Sequence, residues 1–381
     1  MGAPAKRDEY WKYTDPTLLT APKAVAAEAE PTAAPEAFPG ADAAEFVFVN
    51  GRFRPDLSAE TVEGVEIRTL AETLGADIAF ARGLFGALEA AGHEKVARPL
   101  AALNTATAVE GLTLRVTGEA TRPIHLRYVQ VGEGAAMVRH LVRVEKGASV
   151  TVLESGAVTN GVTEVDVAEG GAFRHVRLQA DPAQAGATHV FARVAPHGLF
   201  KTFTLTTDGR LTRNEVVFDL VGDHAVGHAA GGVLATGESL IDNTVFVTHT
   251  GVHGESRQVF KSVLDGRGRS VFQGKIFVRD GAQKTDGYQI SQSVLLSDTA
   301  EFDAKPELEI YADDVKCSHG STTGAMDEDA LFYLRARGVP QREAEAMLVA
   351  AFVDEAIAEI DDDAFADAMR AHVAAWMARR A

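Results

Sequence analysis

Cysteine is almost absent from this chain: Cys317 is the only one in 381 residues. A lone thiol makes no intramolecular disulfide, and it suits a reducing compartment better than a stapled secreted scaffold. Positive charge is also in deficit. Lys and Arg number 37 against 54 Asp and Glu, a formal charge of −17, which repels phosphate backbones and anionic lipid surfaces. Neither nucleic acid nor a membrane is an expected partner. No uncharged apolar run reaches the roughly 18–20 residues that span a bilayer, and the opening MGAPAKRDEYWKYTD has no apolar signal core. The expected location is the cytoplasm.

Catalytic signatures are missing as well. A phosphate-binding G-x-x-x-x-G-K-[ST] loop surrounds its ligand with consecutive backbone N–H groups. The nearest approach is Gly274-Lys275, but Ile276 follows and Arg269 stands where the first glycine belongs. There is no G-x-S-x-G, H-E-x-x-H or G-x-G-x-x-G pattern. His224/His228 and His249/His253 have the i, i+4 spacing of a helical metal pair. Their surroundings, VGDHAVGHAAGG and VFVTHTGVHGES, are strand-like and rich in turns, so the spacing loses that meaning and structural or surface histidines are expected.

Residues 21 to 45 are rich in Ala, Glu and Pro, with Pro22, Pro31, Pro35 and Pro39 interrupting any helix. They read as an exposed connector. In FVFVNGRFR, Asn50-Gly51 is a dipeptide that tolerates positive φ at both positions, the requirement of a tight hairpin. From Leu70 to about Leu103 apolar residues recur at helical spacing, and from Leu112 to about Gly320 alternation and glycine turns take over. One short strand-and-turn pattern recurs there: VRVEKGA from Val142, VDVAEGG from Val165, FTLTTDG from Phe203, IFVRDGA from Ile276 and VLLSDTA from Val294. Its spacing is irregular. A β-solenoid accounts for it by stacking one rung on the next; an antiparallel sandwich also makes short strands and glycine turns.

The last segment returns to helix. Asp327 is placed to cap DEDALFYLRA, with Gly338 and Pro340 ending it. Ala344, Met347, Leu348, Ala351, Phe352, Ala356 and Ile360 then follow a 3.6 period, as do Phe365, Met369, Val373, Trp376 and Met377. Asp361, Asp362 and Asp363 between them read as a solvated helix start.

The densest chemistry lies in EIYADDVKCSHGSTTG, residues 309 to 324. In an extended strand Cys317 and His319 point to one face. A deprotonated thiol and a neutral imidazole are both metal ligands, but two fall short of the four that a structural zinc or an iron–sulfur cluster needs. Other groups must complete any such site. The alternative is a Cys packed as a small hydrophobe and a His that holds a turn.

KPELEIYADDVKCSHGSTTGAMDEDALFYLRARGV, residues 305 to 339, resembles the signature of the SufD family, a subunit of the SufB–SufC–SufD machine that assembles iron–sulfur clusters. The resemblance continues in SRQVFKSVLDGRGRSVFQGKIFVRDGAQKTDGYQ (256 to 289) and in LLSD, EYWKYTD, FVFVNGRF and LNTATAVEGLTLRV. It implies a mainly β fold, a right-handed parallel β-helix core flanked by N- and C-terminal helical domains. The expected divisions are 1–105 (mainly helical, with the connector and hairpin), 106–320 (β-helix) and 321–381 (helical).

The resemblance further implies a non-enzymatic scaffold that pairs with a SufB-like subunit, while a separate SufC-like ATPase docks on the C-terminal helices. A transient iron–sulfur cluster would be shared with the partner, none being held stably by this chain alone. The family's histidine falls on His319, the first choice as ligand, with Cys317 the adjacent candidate. Asp313 and Asp314 match the family's paired aspartates and are assigned to the interface. Phe332, Tyr333, Arg335, Arg337 and Gly338 lead into the helices expected to meet the ATPase. The alternatives are a structural β-helix homodimer with an inert Cys/His pair and a β-helix enzyme acting on polysaccharide; for the isolated chain both monomer and homodimer stay open.

Overall fold

The computed structural model describes residues 2–380 apart from 22, 23, 25, 26, 32–35, 77, 78, 93–95 and 181–184. Pro22 and Pro35 of the connector therefore lie outside the described residues. From Leu112 to Ala325 the chain winds as a parallel β-solenoid of about seven turns. Successive strands alternate between a ten-stranded and a nine-stranded sheet, and each hydrogen-bonds to the strand one coil before and one coil after it. The sandwich alternative is excluded, because neighbours within each sheet run parallel.

The irregular spacing of the repeated pattern has a geometric origin. Val142, Val165 and Ile276 precede corners that lead from the nine-stranded into the ten-stranded sheet, whereas Phe203 and Val294 precede corners on the opposite side. Val142, Val165, Ala192, Phe218, Val247, Ile276 and Leu308 occupy one ladder. The coil thus lengthens from 23 residues (142 to 165) to 32 (276 to 308).

Inward positions alternate with outward ones, as the two-residue period of a strand demands. Early coils are filled by apolar side chains such as Leu114, Ile124, Leu126, Val142 and Val152, then by the stacked rings of Phe173, Phe200 and Phe218, whose centroids are 5.8 and 5.4 Å apart. Each buried Phe contributes about 1.5–3 kcal/mol.

The N-terminal residues close one end of the solenoid. Ala44–Val49 adds in parallel to Ile124–Val129 and turns back through Asn50 (φ 53°) and Gly51 (φ 78°) into Arg52–Arg54. This is the expected hairpin. Val65–Thr69 lies antiparallel on Leu112–Val116 and closes the other sheet. The helical stretch after it is four short pieces, Leu70–Gly75, Ala79–Leu84, Ala87–Gly92 and Pro99–Thr107. They cover the outer face of the nine-stranded sheet, where Leu70, Leu84, Leu88 and Ala101 pack on Leu141, Val162 and Phe191. Glu164 pins them: its carboxylate accepts the N–H groups of Gly86, Leu88 and Glu89 at 2.7–3.0 Å and the Arg139 guanidinium at 2.6 Å.

EYWKYTD runs across the same face. Arg213 lies 4.0 Å over the Trp11 ring, Thr14 donates to Asp242 at 2.5 Å, and Tyr10 donates to Glu307 at 2.8 Å.

Three helices follow the last strand: Glu328–Ala336, Gln341–Ile357 and Asp363–Arg379. The second and third cover the ten-stranded sheet, burying Val349, Val353, Met369, Val373 and Trp376 against Phe203, Leu205, Val259 and Val263. The buried face of the middle helix is Ala344, Val349, Val353, Ala356 and Ile357, while Met347 is 53 % exposed. The sequence carries two apolar stripes there, and the sheet takes the one richer in β-branched residues. Asp361 is not simply solvated: it pairs with Arg174 at 2.9 Å and Lys201 at 2.5 Å, and Asp362 caps the last helix. No helix among the described residues is long and apolar enough to cross a membrane.

Candidate functional site at the open end of the solenoid

Opposite the closed end, both sheets stop at bare edges. Glu301–Ile310 is the last strand of the nine-stranded sheet and Lys316–Ala325 the last of the other, and among the described residues nothing pairs with their outer sides. An edge of this kind offers a row of unused N–H and C=O groups to another chain.

Residues 309 to 324 form this edge and the corner that joins its two strands. In the preceding strand, Gly287, Gln289, Ser291 and Ser293 are buried and face inward. Register pairs them with Cys317, His319, Ser321 and Thr323, so these four also face the interior. Ser291 donates to Ser321 at 3.1 Å and Ser293 to Thr323 at 2.6 Å, tying down the last strand. The expected common face of Cys317 and His319 is therefore present, but their environments differ. Cys317 is half-buried on the apolar core; a Cβ at Gly287 would stand 3.2 Å from its Sγ. Burial pushes its thiol above the ordinary value, and the nearby Asp286 carboxylate adds to this against the Gly287 N–H. His319 is exposed, because no further coil covers it.

Polar side chains line the inward face of this sheet well before its end, with Glu154, His175, Arg177, Thr202 and Thr206 buried beyond the apolar Ile124, Leu126, Val150 and Val152. In the last three coils the inward positions include Ser256, Gln258 and Ser262 beside Phe260, then Gln289, Ser291 and Ser293, then His319. The mouth is polar. Gln258 and Gln289 were not singled out by sequence reasoning. A polar residue at an inward position is the signal that finds them, and it is legible only once register is known.

Asp314 holds the corner to the coil below. Its carbonyl accepts Lys284 N–H at 2.6 Å, its N–H donates to Gln283 Oε1 at 2.9 Å, and its carboxylate pairs with the Lys284 ammonium. Asp313 is exposed beside it, as is Tyr311, 60 % accessible.

The helix Glu328–Ala336 begins directly after the edge strand. Asp327 caps it by accepting Ala330 N–H at 2.9 Å, and Gly338 at φ 88° ends it while Gly338 N–H donates to the Arg335 carbonyl. The cap and the stop are as expected. This helix buries none of its residues. Phe332 is 74 % and Tyr333 56 % exposed, and the Arg337 guanidinium lies 3.3 Å over the Tyr333 ring. Arg335 is also exposed.

Other candidates resolve into structural roles. Gly274-Lys275 lies inside the strand Arg269–Val278, with Lys275 paired to Glu309 at 2.6 Å, so no phosphate loop exists there. His228 pairs with Glu359 at 2.9 Å, and buried His249 bonds Ser256 at 2.8 Å. His224 and His253 belong instead with His197 in a surface stack at one corner, all three at φ 56–57° with ring centroids 4.8–5.0 Å apart. Parallel rings at that spacing do not converge on one ion. Among the described residues no three His, Cys, Asp or Glu side chains are grouped to hold a metal.

The fold is thus that of a parallel β-solenoid protein with one capped end and one open edge that carries a Cys-x-His rung. Residues 128–352 match the family described as "SUF system FeS cluster assembly, SufBD core domain", and the chain belongs to that family. Within it, the chain is 28% identical over 378 residues to the iron–sulfur cluster assembly protein SufD of Escherichia coli, covering 95% of this chain and 86% of that one. It is 30% identical over 387 residues to a SufBD family iron–sulfur cluster assembly protein of Synechocystis, covering 94% and 84% of the two chains. SufD of Bacillus subtilis is 29% identical over 252 residues, 62% of this chain and 57% of that one. The SufD resemblance, read in the sequence from EYWKYTD to residue 339, thus holds nearly end to end.

Proposed function

We propose that the chain is a non-catalytic subunit of an iron–sulfur cluster assembly machine, and that it works by joining its open solenoid end to a SufB-like chain. The observation that carries this reading is the unpaired terminal coil, which ends on His319. Strand addition along Lys316–Ala325 would satisfy the edge and place His319 and the neighbouring Asp313 at the junction. Two donors are too few to hold a cluster alone, so the nascent cluster, the cargo of the reaction, is ligated partly by each subunit.

His319 is the donor this chain offers. It is accessible, whereas the Cys317 thiol packs on the apolar core beside Gly287 and is pushed up in pKa by burial. Cys317 joins only if the last coil shifts.

The exposed helix Glu328–Ala336, with Phe332, Tyr333, Arg335 and Arg337 at its surface, is the docking place for a SufC-like ATPase. Its position immediately after the edge strand lets ATPase movement reach the junction. A helix that buries nothing in its own chain, while displaying two aromatics, supports a partner there.

The test is His319→Ala in the co-expressed complex, with assembly checked by gel filtration and with iron and sulfide counted after anaerobic reconstitution. The expected result is an intact complex that retains little cluster. Undiminished cluster on an intact complex removes His319 from the mechanism.

A further inference from the structure

Gln289 is completely buried, and neither its amide oxygen nor its amide nitrogen has a hydrogen-bond partner. The same is true of Gln258, one coil deeper. Each buried, unpaired polar group costs about 1–3 kcal/mol, so two adjacent orphan amides call for a partner or a reason. Their placement supplies one. Gln258 pairs in register with Gln289, and Gln289 with His319, all on the inward face. The two amides therefore stand in one column directly below the imidazole, at the roughly 4.8 Å rise between neighbouring strands.

The opposite wall makes room for this column. A Cβ at Gly274 would collide with the Gln289 amide, so glycine there leaves the amide space that any other residue would fill. No hydrophobic requirement explains a glutamine at this position; Leu or Met would fill the same volume without an unpaired group.

A histidine that ligates a metal through one nitrogen needs its other ring N–H held, which sets both the tautomer and the ring plane. We propose that Gln289 is the positioning residue of His319: its amide oxygen, which lies unpaired against Gly274 in this structure, turns to accept the imidazole N–H when the cluster cargo binds, so that the second ring nitrogen presents its lone pair outward to the iron. Gln258 stands one coil behind it with its own amide equally unpaired. Being uncharged, the amide orients the ring without stabilising an imidazolium, which could not bind iron. This inference rests on the reading of His319 as the donor.

The experiment compares Gln289→Leu, Gln289→Glu and His319→Ala in the chain complexed with its SufB-like partner. Ferrous iron and sulfide are supplied anaerobically. Three quantities are read: iron retained after desalting, the Mössbauer spectrum of the bound iron, and the thermal midpoint of the iron-free complex. Q289L should retain iron about 10- to 100-fold more weakly and show an altered spectrum, while its thermal midpoint is unchanged or raised because an orphan amide has gone. Q289E keeps the acceptor and should recover most of the retention. Should Q289L fail to fold, Gln289→Asn, which withdraws the amide by one carbon, serves the same comparison.

If H319A loses iron while Q289L keeps wild-type retention and spectrum, Gln289 does not position the ligand. If retention falls only in proportion to the thermal midpoint, Gln289 has a merely structural role and the proposal is overturned. If H319A itself keeps its iron, the donor assignment fails first, and the positioning role falls with it.

Discussion

Lowering the pH from 7 to 5 should destabilise this protein steeply, because at least three histidines are folded into its interior as neutral groups. His140, His189 and His249 are each held at about 4 against an ordinary 6.5, with burial the leading cause in all three. At His140 the hydrogen bonds enforce the neutral form. Nδ1 accepts the Leu112 N–H at 3.1 Å while Nε2 faces the Tyr128 hydroxyl at 3.0 Å, so a proton on Nδ1 breaks the first contact. At His189 the Arg213 and Arg98 guanidinium groups further oppose a third positive charge, although Glu215 favours it. Among the described residues His249 has Ser256 alone as a hydrogen-bond partner.

The folded values lie below the unfolded one, so between about pH 6.5 and 4 the unfolded chain binds the additional protons. The stability these groups confer is fully present above pH 6.5 and is lost as the pH falls toward 4. For each histidine the loss between pH 7 and 5 is about 2 kcal/mol, since one pKa unit is worth about 1.4 kcal/mol. Three independent groups give roughly 6 kcal/mol, comparable to a whole domain's usual stability of about 5–15 kcal/mol. Urea denaturation at pH 7 and pH 5, at fixed ionic strength, measures the difference. His249→Gln should reduce it by about 2 kcal/mol. An unfolding free energy that is flat over this range, or a slope unaltered in that variant, refutes the reasoning.

Three further outcomes follow from particular contacts. Glu164→Ala strands the buried Arg139 charge and releases the Gly86, Leu88 and Glu89 N–H groups; the cost should be about 3–5 kcal/mol in denaturant titration, with accelerated hydrogen exchange in residues 79–92. The double substitution Phe332→Ser and Tyr333→Ser should leave the unfolding free energy within about 1 kcal/mol of the parent, because both side chains are exposed, yet weaken retention of the SufC-like ATPase in a pull-down. Cys317→Ser should preserve more cluster than His319→Ala in the same reconstitution assay, since the thiol lies against the core; equal losses would make the thiol an equal ligand.

Much of the architecture was legible in the residues because it depends on local chemistry. Asn50-Gly51 turns where positive φ is required, Asp327 and Gly338 bound a helix, and Cys317 and His319 share a face because strand periodicity is two. The resemblance of residues 305 to 339 carried the family and settled the choice of solenoid, which the strand pattern alone put only slightly ahead of a sandwich. The amphipathic period of residues 344 to 360 announced a helix but not its buried side, because it carries two apolar stripes and only the sheet beneath selects one.

What the sequence alone determined, then, is the set of elements, the turns between them and the donors on the last strand, all consequences of dihedral preference and short-range periodicity. Only the tertiary structure decided which residues meet across coils. Register places Gln258 and Gln289 beneath His319 from 61 and 30 positions away, and a coil that lengthens along the chain hides that alignment from any fixed-period reading. The open edge is likewise a tertiary fact. Whether a strand is the last in its sheet depends on what stacks against it in space, and no local pattern records that.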